Sequence, residues 1–157
     1  AIGAWAPGHA MLFKKELVDK AAPFPTLVTH DFWLGFVATC YSTVVYVNEP
    51  LVHYRQHTQN AIGADTTKNK SASLTLAQKK QNARARMELL YHKVKETGHQ
   101  HAGVFEKINN SYQSFSLVNN CKRAKLFFDY RNLILAYKKK SALLKILFAV
   151  KMFFKID

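Results

Sequence analysis

Ten consecutive residues, Phe32 to Tyr41 (FWLGFVATCY), are apolar on almost every side, and no other stretch limits the fold so tightly. A helix with that pattern has no solvent face and must be covered on all sides. Thr29 ahead of it suits an N-cap. Asp31 falls in its first turn, where the helix dipole favours an ionised carboxylate. Before it, Lys14–Ala22 has helical spacing, with Leu17, Val18, Ala21 and Ala22 on one side. Pro23 and Pro25 end that element, because proline cannot continue a helix and restrains the residue before it.

The stretch around the apolar run reads as strands. Ala10–Phe13 reads as a short one. Thr43–Asn48 (TVVYVN) is β-branched and aromatic, which favours a strand. Asn48-Glu49-Pro50 makes a turn, and Leu51–His57 reads as a further strand. A period of two puts Leu51, His53, Arg55 and His57 on one face, with Val52, Tyr54 and Gln56 on the other. Two histidines and an arginine on a buried face imply a lined site or close pairing.

Beyond this point the pattern becomes helical. Residues 64–70 read as a polar loop. Ser71–Thr97 carries Leu74, Ala77, Met87, Leu90, Tyr91 and Val94 at helical intervals. Gly98 is its expected stop. His101–Asn120, Arg123–Tyr137 and Ser141–Ile156 follow, so four helices in series are expected. The charge divides at the same boundary. Residues 1–60 hold four Lys or Arg and four acids, so the net charge of +13 lies entirely in the rest of the chain. Such asymmetry fits a polyanion or an anionic membrane face, or simply solvated lysine-rich helices.

Cys40 and Cys121 form no Cys-x-x-Cys pair and read as free thiols packed in the core of a protein from a reducing compartment. The opening AIGAWAPGHA lacks a signal peptide's charged start and reads as the middle of a longer protein. The sequence has no glycine-rich phosphate loop, zinc-ligand spacing or Ser/His/Asp arrangement. His99 and His101 flank a helix break and read as surface polarity, and His92 reads as exposed on its helix.

Five segments in order carry a resemblance: GHAMLFKKEL (8–17), PFP (23–25), HDFW (30–33), VVYVNEPLVHYRQH (44–57) and NAIG (60–63). Together they resemble family 2 glycosyltransferases, especially bacterial rhamnosyltransferase-like members that build cell-surface polysaccharide. The likeness covers about residues 3–63. It implies a fold that is mainly α with a few short β-strands. Residues 1–63 would be the acceptor and catalytic-base half of a GT-A (α/β) domain, and 71–157 a basic helical tail.

The resemblance also implies roles. Asp31 matches the general base that removes the acceptor hydroxyl's proton as it attacks the anomeric carbon with inversion. Residue chemistry alone favours a plain helix cap at that position. Gly8, His9, His30 and Trp33 match the acceptor side, Arg55 and Gln56 the donor diphosphate, and His57 the divalent metal, Mn or Mg. For Trp33 a core role is an equal alternative.

The family's Asp-x-Asp donor motif is absent from these 157 residues. The isolated chain is therefore expected to lack transfer activity. In the full protein its partners would be a nucleotide-sugar donor and a glycan or lipid-linked acceptor at the cytoplasmic side of a bacterial plasma membrane. Unpaired strand edges would invite homodimerisation. Nucleic acid is disfavoured, because no helix-turn-helix or RNA-binding signature accompanies the basic charge.

The tail 138–157 remains open between two readings. On a helical projection Lys140, Lys145, Lys151 and Lys155 share one arc, while Leu143, Ile146, Val150 and Phe153 lie away from it. Such a helix either lies in a membrane interface or docks on its neighbours.

Overall fold

A computed structural model describes residues 7–53, 55, 74–135 and 141–154. The apolar run is α2, His30–Tyr41, and it contributes to the buried cluster. Trp33, Leu34, Phe36 and Val37 are its buried residues. Phe36 meets the Phe105 ring edge-on at 5.7 Å, and the Arg86 guanidinium lies over the Phe32 ring at 5.8 Å. Burying side chains such as Phe36 and Val37 stabilises the fold by roughly 2 kcal/mol each.

The remaining elements flank it in the chain. A 3-10 turn, η1 (Gly8–Ala10), precedes α1 (Lys15–Ala21). The Trp33 indole N–H donates to the Ala21 carbonyl at 2.7 Å and ties α1 to α2. After the connection come α3 (Leu76–Glu96), α4 (Ala102–Tyr112), α5 (Leu117–Asp129), α6 (Arg131–Ile134) and α7 (Ala142–Phe154). Ala83, Met87, Leu90 and Val94 of α3 join Ile108 and Tyr112 of α4 in the same cluster.

The ends of α3 follow from local chemistry. The Thr75 hydroxyl accepts from the Gln78 amide while the Gln78 side chain accepts from the Thr75 amide, a capping box. At the other end Gly98 has φ 62°. Its amide donates to Lys95, and the His99 amide donates to Val94, so two terminal carbonyls are satisfied. Only glycine takes that backbone conformation without strain.

Helices α5 and α7 run antiparallel: Arg123 meets Met152, and four residues further along α5, Phe127 meets Phe148 at 6.0 Å. Arg123 has no exposed surface. Its guanidinium donates to the carbonyls of Met152 and Ser111 and to the Asn120 side chain, so it joins α4, α5 and α7. It also lies over the Tyr112 and Phe115 rings at 4.5 and 5.0 Å.

The expected mixed α/β architecture is not what forms. The described residues contain seven α-helices and no strand, which contradicts the mainly-α fold with short strands of a GT-A half-domain. Ala10–Phe13 is the end of η1 followed by extended chain. Thr43–Asn48 belongs to no helix or strand, and every residue from 41 to 53 is exposed. β-propensity records how well a side chain fits a pleated, half-buried surface, and without a neighbouring ladder it produces no sheet. Of Leu51–His57, Tyr54, Gln56 and His57 lie outside the described residues.

The helical half also differs in detail. His101–Asn120 breaks at Gln113–Ser116, where the Ser116 hydroxyl caps α5 by accepting from Asn119. Arg123–Tyr137 is divided between α5 and α6 at Tyr130. Cys40 is half-buried as expected, but Cys121 is exposed and takes no part in the core.

Candidate functional site

The start of α2 is where the expected site residues meet. Thr29 is the N-cap residue, yet its side chain makes no capping bond to the helix. Asp31, in the first turn, instead accepts the Phe32 amide on Oδ1 at 2.7 Å. The Thr29 hydroxyl is the main cause holding the Asp31 pKa below its ordinary value. Partial burial acts the other way, and the Phe32 amide and nearby His30 add to the lowering. Asp31 is therefore a half-buried carboxylate that stays ionised at neutral pH.

Gly8 lies directly against this helix start. A methyl group there would lie 3.1 Å from His30 Nε2 and 3.7 Å from Asp31 Cβ. Any side chain at position 8 would push on the His30 ring, so glycine permits the approach of η1 to α2. His9, the next residue, is exposed. The structure thus brings together Gly8, His30 and Asp31, residues from two segments more than twenty positions apart.

Other expected site residues do not join them. Trp33 is 4% exposed and its indole N–H is bonded to Ala21, so it packs in the core. Arg55 is exposed and on no strand. Gln56 and His57 lie outside the described residues. Among the described residues no group of three or more His, Cys, Asp or Glu could hold a metal ion.

His92 is exposed, near Glu88 at 3.9 Å. His99 and His101 are half-buried, with rings 5.3 Å apart, and the His101 amide donates to His99 Nδ1. Burial, then the charge of His101, lowers the His99 pKa.

Sequence reasoning missed two features. One is the buried Arg123, which in the sequence sits in a basic run, CKRAK, that reads as solvated. The other is a cleft of about 380 Å³ between α4 and α5, lined by Lys107, Asn110, Asn119, Lys122, Lys125 and Asp129. Its Lys125 and Asp129 are paired at 2.7 Å. That pair is an i,i+4 spacing within α5, but Lys107 and Asn110 join the cleft from α4, and a lining shared by two helices leaves no motif in the linear sequence.

No protein-family model, curated protein or solved structure matches the chain. No helix among the described residues is long and apolar enough to cross a membrane.

Proposed function

We propose that Gly8, His30 and Asp31 form the acceptor side of a sugar-transfer site, in a protein that moves a sugar from a nucleotide-sugar donor to a glycan or lipid-linked acceptor. The observation that supports this most is the close approach of Gly8 to His30 and Asp31, which sets an ionised carboxylate beside an imidazole at an accessible helix start. The ordered likeness of residues 3–63 to family 2 glycosyltransferases supplies the reaction type.

In that reaction Asp31 takes the proton of the acceptor hydroxyl as its oxygen bonds to the anomeric carbon. The bond from that carbon to the diphosphate breaks on the opposite face, and the nucleoside diphosphate leaves with the electron pair. A carboxylate of lowered pKa is a weak base, but the hydroxyl becomes acidic only as the new bond forms. Positioning then contributes more than basicity. His30 orients the acceptor by hydrogen bonding. The donor diphosphate is held from outside these residues, since the sequence has no Asp-x-Asp.

Amide NMR of this chain tests the acceptor assignment. Titration with rhamnose-containing oligosaccharides should shift the Gly8, His30, Asp31 and Phe32 amides, and nucleotide sugar with Mn²⁺ should not. No saturable shift in that cluster, or micromolar donor binding by this chain, would contradict the proposal.

A further inference from the structure

Helix α7 has two apolar sides, and only one is used in the fold. Ala149 and Met152 are buried, with Phe148 packed beside Phe127 of α5. About half a turn away, Leu143, Leu147, Val150 and Phe154 are 65, 53, 54 and 76% exposed. At 3.6 residues per turn they fall within an arc of roughly 60°. Ile146 and Phe153, which a sequence projection places with the outward set, are half-buried instead. The helix therefore docks on α5 and still presents a continuous apolar stripe to solvent.

We propose that this stripe of α7 seats the protein on an anionic lipid surface, with the helix lying in the plane of the interface. Three observations favour lipid over a protein partner. The helix has 13 residues, about 20 Å of length, which suits lying in an interface and is too short to span one. Lys151 is exposed beside the stripe, and apart from the buried Arg123 residues 117–157 contain nine Lys or Arg against two Asp. A second copy would bring two such positive surfaces face to face, whereas acidic headgroups complement the charge. The stripe is also apolar enough to enter the headgroup boundary, as interfacial helices do. The inference is independent of sugar transfer.

Flotation with vesicles of phosphatidylcholine, alone or with one-third phosphatidylglycerol, tests it on the full chain. Wild type should float with the anionic vesicles, less so as salt is raised, and poorly with the neutral ones. Leu147→Ser with Val150→Ser should weaken binding at least ~10-fold. Both side chains are exposed, so helical circular dichroism should not change. Lys151→Glu should weaken binding without altering the apolar stripe. Absent flotation, equal binding to neutral vesicles, or undiminished binding by the double variant would overturn the proposal. So would a wild-type dimer that the double variant abolishes in a protein that ignores vesicles.

Discussion

Asp31 carries most of the chemistry proposed for this chain, and its environment has a measurable consequence. Its folded pKa lies below the ordinary carboxylate value, with the Thr29 hydroxyl as the main cause. A depressed carboxylate pKa stabilises the fold above the unfolded value of about 4 and loses that effect as pH falls through the folded value. Thermal melts of wild type and Asp31→Asn should therefore differ most near neutrality and converge in strong acid. A gap that widens on acidification would mean that the carboxylate is unfavourable in the fold. The site was partly legible at this scale. The letters HDFW were enough to place a carboxylate in a first helical turn. That Gly8 lies against it required the folded chain, because the contact crosses from η1 to α2. Trp33, the last residue of the same motif, stayed open between an acceptor and a core role because indole reads alike in a pocket and in a core. Only its bond to the Ala21 carbonyl decides between them.

Elements with their own start and stop chemistry were the readable ones. Helix α2 was expected from its apolar run, and α3 ends at Gly98 as expected. The start of α3, expected at Ser71, lies past Leu74 at Leu76, where Thr75 and Gln78 spell its capping box; residues 71–73 lie outside the described residues. The strands failed for a different reason. Thr43–Asn48 has strong β-propensity, yet a strand exists only with a partner, and the described residues offer none. Hydrogen exchange distinguishes the two descriptions. Amides of residues 43–47 should exchange close to the unprotected rate, while Leu90 and Val94 of α3 should be protected by several orders of magnitude. Protection of alternate residues across 43–53 would restore the sheet.

Across the whole molecule the α4–α5–α7 arrangement depends on one side chain. Arg123 satisfies the backbone carbonyls of Ser111 and Met152 and the Asn120 side chain, all from a fully buried position. Burial lowers its pKa, but a guanidinium keeps its proton in proteins. Arg123→Ala would leave those acceptors unpaired and should cost roughly 3 kcal/mol or more in denaturant unfolding. Arg123→Lys should recover only part of that, since an ammonium lacks the planar fork. A loss within ~0.5 kcal/mol, typical of surface positions, would remove Arg123 from this role.

The most direct test of the functional account is sugar transfer by Asp31→Asn in the protein as its gene encodes it, assayed with a panel of labelled nucleotide sugars. Turnover should fall by ~10²–10⁴-fold with unchanged circular dichroism, the range expected for losing a general base. Wild-type turnover in the folded variant would contradict Asp31 as the base.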